Sequence, residues 1–295
     1  MRFSCIHTHT VFCDGADDVE TYCRAAYDKN LVSLGFSAHA PIFKKTGIQT
    51  TWHLDEKRLD EYMRAVRAAA KRWEGKLPVY LGLEVDFIPG LTGPADREYR
   101  EMDLDFIIGA VHYVIPKSGD PFEVDSTAEE LDYKIKAILG GDCQAMVEAY
   151  WDSQEAMIRA GGFDVLAHPD LVKKNNRRGG NNEDHLFSED TESYKKRTAA
   201  VAALAAQAGI PVEINTGGLN RKKTVECYPS LAFLKLFREF NVPMVITADA
   251  HRAEHINGHY AQAHQALIDA GYTEAVLFEG RRNGKAVWAR EALLA

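Results

Sequence analysis

Residues 2–15 read RFSCIHTHTVFCDG. The first eight, RFSCIHTH (2–9), form a short run rich in apolar residues, the pattern of a strand. Alternate side chains of a strand share a face, so His7 and His9 point the same way. Two histidines two apart are, taken alone, ordinary polar residues on a solvated face. Their meaning depends on whether the arrangement recurs.

It recurs along the whole chain. Further strand-like runs are LVSLGFSAH (31–39), LPVYLGLEVDF (77–87), LDFIIGAVHY (104–113), FDVLAHPD (163–170), IPVEINTG (210–217), VPMVITADAH (242–251) and EAVLFEG (274–280). Each is short, rich in Val, Ile, Leu and Phe, and bounded by Gly, Pro or Asn. Between them the period changes to that of a helix. Leu54–Trp73 places Leu59, Met63, Val66 and Ala70 on one face, Thr191–Ala208 is alanine-rich and ends at Gly209, and Ser230–Phe240 carries Leu231, Leu234 and Phe237 at core spacing. Strands alternating with helices predict an α/β fold with parallel strands and crossover helices. Seven or eight such units predict a closed, TIM-like β/α barrel with its active site at the C-terminal strand ends. No Pro/Ser-rich linker divides the chain, so residues 1–295 are expected to form a single domain. The irregular stretches Ala40–His53, Val114–Ser126 and Val172–Asp190 each follow a strand and are expected to overhang that same end.

Composition narrows the function. The 295 residues are 46% hydrophobic and 26% charged, with a formal charge of −8, which argues against general binding to nucleic acid or membrane surfaces. No run of about 18 apolar residues and no basic-then-apolar leader is present, so neither a membrane span nor a signal peptide is expected, and a cytoplasmic location is. The five cysteines, at 5, 13, 23, 143 and 227, form no CxxC pair and read as reduced thiols.

Of eleven histidines, six fall at or just past a strand end: His7, His9, His39, His112, His168 and His251. Glu84 and Asp249 do the same. On a barrel these positions converge, although they are far apart in sequence. Imidazoles and carboxylates crowded together without a matching set of cations are best satisfied by several divalent ions, because buried charge is costly unless paired or metal-bound.

The ordered set HTHT with Asp14, SAHAP at His39, GLEVDF at Glu84, GAVHY at His112, AHPD at His168 and TADAH at Asp249 and His251 resembles the PHP superfamily, the polymerase and histidinol phosphatase group. The resemblance runs from residue 7 to residue 251. It implies a distorted (β/α)7 barrel and two to three divalent ions, Zn, Fe or Mn. It implies that His7, His9, Glu84 and Asp249 hold one ion, that Glu84, His112 and His168 hold a second with Glu84 bridging, and that Asp14, His39 and His251 hold a third. Many members of the family carry a histidine where Asp14 stands here.

Such a cluster predicts phosphoester hydrolysis by a metal-bridging hydroxide, with Glu84, Asp249 and His251 as the catalytic residues and Asp249 or a metal-bound water moving the proton. Neither GxSxG nor a GxxxxGK[ST] loop is present to suggest another route. VEINTGGLNRK (212–222) and the loop HPDLVKKNNRR (168–178) resemble the histidinol-phosphate phosphatases of histidine biosynthesis, so a small phosphorylated substrate, L-histidinol phosphate, is expected. Arg221, Lys173 and Lys174 are expected to steer its phosphate, with Arg177 and Arg178 further out, and His53 to line the mouth. Glu213 or Asp170 is expected to meet the amino-alcohol end. Two other readings remain: a PHP phosphoesterase acting on nucleotides or other small esters, and a non-catalytic, metal-stabilised module. His255, His259 and His264 read as surface residues of a helix, His185 as a solvated loop residue and Cys13 as filler. RRNGKAVW reads as a turn between two short strands.

Overall fold

The computed structural model describes residues 2–43, 46–116, 120–176 and 185–293. In chain order the strands are β1 (Leu34–His39), β2 (Val79–Asp86), β3 (Phe106–Ala110), β4 (Tyr113–Val114), β5 (Phe122–Glu123), β6 (Val165–Leu166), β7 (Val212–Asn215), β8 (Met244–Thr247), β9 (Glu274–Arg282) and β10 (Lys285–Ala292). Six of them pair in the order β1-β2-β3-β6-β7-β8, every pair parallel. The N-terminal segment closes this sheet. On one side Gly35 N–H donates to the Cys5 carbonyl (2.7 Å) and Ser37 N–H to that of Thr8 (3.0 Å); on the other, His9 N–H donates to the Ala250 carbonyl (2.9 Å) and Ala250 N–H to that of His7 (3.1 Å). Residues 5–9 thus lie between β1 and β8 as the seventh stave of a distorted α/β barrel.

The helices are α1 (Val19–Asp28), α2 (Leu59–Arg72), α3 (Arg97–Arg100), α4 (Ala128–Leu139), α5 (Cys143–Ala160), α6 (Glu192–Ala208), α7 (Gly217–Asn220), α8 (Leu231–Glu239) and α9 (Tyr260–Asp269). Their ends follow local chemistry. Thr191 and Ser230 accept backbone N–H bonds at the starts of α6 and α8, and Gly209, at φ 64°, ends α6. Among the described residues no helix is long and apolar enough to cross a membrane.

Alternation along each strand positions the site. Leu81, Leu83 and Val85 of β2 face the helices, while Gly82, Glu84 and Asp86 share the opposite, inward face. On β3, Phe106, Ile108 and Ala110 turn inward, and His112 continues that parity past the strand end. Phe106 fills the barrel interior: a Cβ added at Gly82 would lie 2.5 Å from its ring and one at Gly35 2.9 Å, so both inward positions need glycine. The interior is therefore apolar near the N-terminal strand ends and polar near the C-terminal ones.

Two sequence expectations differ from the structure. The eighth apolar run, 274–280, does not enter the barrel. As β9 it pairs antiparallel with β10 through Asn283 and Gly284, both at positive φ, and its Val276 and Phe278 pack against Ile6, Phe106, Ile108, Val165 and Val245. A strand with its own hairpin partner needs no place in the sheet; here it plugs the barrel floor. His255 and His259, read as residues of one helix with His264, also lie outside α9: His255 ends a 3-10 turn and His259, at φ 59°, precedes the helix.

Candidate metal centre

At the C-terminal end of the barrel, Glu84 stands at the centre of the histidines and is fully buried. Its Oε2 lies 3.2 Å from His7 Nε2, 3.5 Å from His9 Nε2 and 2.9 Å from His39 Nδ1. Its Oε1 lies 2.9 Å from His168 Nε2 and 3.7 Å from His112 Nε2. The two oxygens of one carboxylate thus face two different sets of imidazoles. Asp249 Oδ1 joins the first set, 3.2 Å from His9 Nε2 and 3.7 Å from His7 Nε2. Its backbone is left-handed (φ 46°), and a Cβ at Gly217 would lie 2.7 Å from its Oδ2. Asp14 heads a third group at the rim, 3.1 Å from His251 Nε2 and 3.7 Å from both His39 Nε2 and His9 Nδ1. The structure therefore brings together all nine residues His7, His9, Asp14, His39, Glu84, His112, His168, Asp249 and His251.

The donor set fits divalent ions. His7 Nε2, His9 Nε2, His39 Nδ1 and Glu84 Oε2 are buried and close together, yet none makes a hydrogen bond of acceptable geometry to another or to any other group, and they converge on a common space. Buried polar atoms are nearly always satisfied, so four orphans aimed together point to a ligand. Proton chemistry agrees. Burial opposes charge on His7, yet Glu213, Glu84 and Asp249 hold its pKa well above the ordinary range. His112 is likewise raised to about 10, Asp86 and Glu84 overcoming burial. His9 is pushed down to about 3 by burial and by the neighbouring His39 and His251. Burial also opposes ionisation of Glu84 and Asp249, but His7, His39 and His112 hold Glu84, and Arg221 and His7 hold Asp249, well below the usual carboxylate range. Without ions, protons on the imidazoles supply the balancing positive charge; two- to three-fold divalent charge supplies it equally well and leaves the rings free to ligate.

Above the cluster opens a cavity of about 870 Å³. Its walls come from the three segments expected to overhang this end: Gln49, Thr50, Thr51 and Trp52; Glu123, Asp125 and Ser126; and Lys174 and Asn175. Arg221 enters from the end of α7, donating to Asp249 Oδ2 (3.0 Å) with its guanidinium 3.3 Å from His251 Nε2. Lys174 lines the cavity and pairs with Asp125 (3.2 Å). Lys173 does not reach it: buried, it pairs with Asp170 (2.8 Å) and Glu226 (3.1 Å). Asp170 also accepts from Ser230 N–H (2.8 Å) and is engaged outside the cavity.

His53 and Glu213 are likewise placed behind the cavity, not in its wall. Glu213 accepts from His7 Nδ1, Thr247 Oγ1, Asn215 Nδ2 and the His168 N–H, each at 2.8 Å, so it has no capacity left for a substrate amine. It fixes His7 with Nε2 turned to the cluster. His53 is buried, its Nε2 2.7 Å from Asp86 Oδ2. Asp86, to which the sequence reading gave no role, also faces His112 Nδ1 at 2.9 Å. Its signal was the ExD spacing on β2. Cys13, expected as filler, has its Sγ 3.6 Å from His9 Nδ1, within hydrogen-bond reach for sulfur. Arg177 and Arg178 lie outside the described residues.

With this geometry in view, comparison with known proteins gives consistent results. The PHP domain pattern matches residues 6–217. A candidate histidinol-phosphatase of Deinococcus radiodurans is 30% identical over 266 residues, covering 90% of this chain and 92% of its own. The histidinol-phosphatase of Bacillus subtilis is 25% identical over 283 residues, covering 89% and 97%. Among solved structures, a histidinol phosphatase candidate from Listeria monocytogenes superposes with a TM-score of 0.76 at 22% identity, covering 88% of this chain and 99% of that one. The histidinol phosphate phosphatase of Lactococcus lactis, complexed with zinc, L-histidinol and phosphate, superposes with a TM-score of 0.64 at 18% identity, covering 97% and 99%. At such identities the two structures speak for the fold.

Proposed function

The chain belongs to the PHP domain family, and we propose that it is a phosphomonoesterase that hydrolyses L-histidinol phosphate to L-histidinol and inorganic phosphate, a step of histidine biosynthesis. The observation that carries this reading is Glu84, whose two oxygens face separate imidazole sets on the floor of a cavity that also holds Arg221.

In this reading His7, His9, Glu84 and Asp249 hold one ion, Glu84, His112 and His168 a second, and Asp14, His39 and His251 a third. Zinc suits this imidazole-rich set, and iron or manganese also accepts it. Bound there, the ions supply a deprotonated water at neutral pH and neutralise phosphoryl oxygens. The chain's own residues do the rest. Arg221 offers planar, charge-assisted donors to the phosphoryl oxygens, and Lys174 and Lys223 add positive charge at the wall. Asp249, kept ionised by Arg221 and His7, accepts a proton at its carboxylate and passes it towards the departing alkoxide. His251, 3.4 Å from Asp249 Oδ1, holds that carboxylate in place. Asp125, paired with Lys174, and Glu129 and Glu130 also line the cavity, and the two glutamates give an acidic surface that suits the ammonium group of an amino alcohol. Those residues take the part expected of Glu213 and Asp170.

Phosphate release from L-histidinol phosphate, nucleoside monophosphates and sugar phosphates, assayed side by side, tests the substrate. L-histidinol phosphate should be turned over with much the highest kcat/KM. Equal or better turnover of a nucleotide or sugar phosphate would place the protein among broader PHP phosphoesterases.

A further inference from the structure

Behind the cavity wall a chain of buried polar groups runs from segment 49–52 to His112. Asp86 and His53 are 2% and 8% exposed, and neither lines the cavity. Asp86 Oδ1 accepts from both the His112 N–H (3.2 Å) and His112 Nδ1 (2.9 Å), and its Oδ2 accepts from His53 Nε2 (2.7 Å). On its far side, His53 Nδ1 lies 2.9 Å from Thr50 Oγ1. An ionised carboxylate only accepts, so both ring nitrogens facing it carry protons. His112 is thereby fixed with Nε2 turned to Glu84, and His53 is fixed with Nδ1 free to accept from the Thr50 hydroxyl.

The groups at the outer end belong to the cavity. Gln49, Thr50, Thr51 and Trp52 all line it, and residues 47–53 form no helix or strand that would hold them. The indole of Trp52 rests on His53 (ring centroids 3.7 Å) and donates to Glu123 (3.1 Å). Glu213 serves His7 in a different way. Its partners His7, Thr247, Asn215 and the His168 N–H all lie on or beside barrel strands, so it connects His7 to the frame alone. Asp86 connects His112 to a wall that faces the substrate.

We propose that Thr50, His53 and Asp86 form a positioning relay that ties the substrate-facing segment 49–52 to His112, so that the seating of the wall and the orientation of this ligand depend on each other. The relay rests on the reading above that His112 holds a metal. Loss of His53 then has two linked effects: the Trp52 wall loosens, and Asp86 is left to hold His112 without its second partner.

The test uses zinc-loaded full-length protein and the variants Asp86→Asn, His53→Phe, their double, and His53→Gln, whose amide N–H can still donate to Asp86. Zinc release to a competing chelator is measured beside kcat and KM for L-histidinol phosphate and for phenyl phosphate, which lacks the amino end. Asp86→Asn and His53→Phe should each weaken zinc retention by about ten- to a hundred-fold, the scale of losing a group that orients a ligand. His53→Phe should raise KM for L-histidinol phosphate more than for phenyl phosphate. The double variant should be little worse than Asp86→Asn, because the two act in series, and His53→Gln should recover most of the loss. Folded His53→Phe with zinc retention and both KM values within twofold of the parent overturns the relay, as does additivity in the double. Should Asp86→Asn fail to fold, the contrast between His53→Phe and His53→Gln decides alone. Weak parental turnover of L-histidinol phosphate alongside zinc loss in the variants would sink the substrate reading and leave the relay standing.

Discussion

Single residues at this site carry distinct loads. Arg221 is the cation set between Asp249 and His251 at the cavity floor. Charge-assisted hydrogen bonds contribute about 1.5–3 kcal/mol, so Arg221→Ala should lower kcat/KM by about ten- to a hundred-fold with zinc content unchanged; full activity, or loss of zinc, would refute the phosphate role. Asp14 is the most exposed member of the cluster, its side chain 31% accessible. Asp14→Ala should therefore release one ion under mild chelation and retain the rest, as read by metal analysis; unchanged metal content and turnover would remove it from the ligand set. The histidines also predict how the metal-free protein responds to pH. His7, His39 and His112 have folded pKa values raised above the unfolded one, so the native state holds the extra protons and stability falls as pH rises through that range, for His112 from about 6.5 to about 10. His9, lowered to about 3, acts the other way, losing stability as pH falls below about 6.5. Because the lowered histidines act only below about pH 6.5, the raised ones set the trend above it: the melting temperature of chelated protein should drop between about pH 6.5 and pH 10, and zinc-loaded protein, in which ligating rings would already be neutral, should show a flatter profile.

At the scale of elements, the barrel works because each strand changes character along its length. Inward positions are apolar or glycine at the N-terminal end and polar at the C-terminal end, as in Gly82, Glu84 and Asp86 of β2. His112 and Asp249, just past their strand ends, continue the face of the core residues Ile108 and Val245 beneath them, Asp249 through a left-handed backbone. The β9–β10 hairpin then seals the apolar end. Phe278, 1% exposed, packs edge-on against Phe106 with ring centroids 5.2 Å apart. Phe278→Ala should cost about 3–5 kcal/mol of stability, read by denaturant unfolding, while kcat of the folded fraction and zinc content hold, because the cavity it leaves lies at the opposite end of the barrel. A loss of zinc without a loss of stability would contradict this division between floor and site.

For the whole molecule, the candidate metal centre joins parts that are far apart along the chain. His7 and His9 come from the segment that closes the sheet, and Asp249 and His251 from just past the end of β8 beside it, so ions bound there would staple the closure. An ion present at 100 times its dissociation constant stabilises the native state by about 2.7 kcal/mol. Exhaustive chelation should lower the melting temperature and abolish turnover together, and zinc should restore both. A melting temperature unmoved by chelation would mean that the cluster does not hold ions.

The sequence by itself determined the parallel α/β class, the C-terminal strand ends as the functional face, and the nine clustered residues, because strand parity and strand ends are local properties that the order of residues encodes directly. SAHAP, GLEVDF and TADAH each place a histidine or carboxylate at a strand end whatever the neighbouring strands do. Only the tertiary structure decided which carboxylates hold a histidine and which line the cavity. Glu213 and Asp86 are as acidic and as near the strand ends as Glu84, yet they face histidine Nδ1 atoms and hold them in place, while Asp125 and Lys174 came to the cavity from irregular segments with no periodicity to read. Lys173 and Lys174 are neighbours in sequence, but one turn of 3-10 helix from Leu171 to Lys173 buries the first against Asp170 and leaves the second in the wall. RRNGKAVW was legible as a turn between two strands, but the place of that hairpin under the barrel was not: an apolar run states that it must be buried, and only the packed molecule states against what.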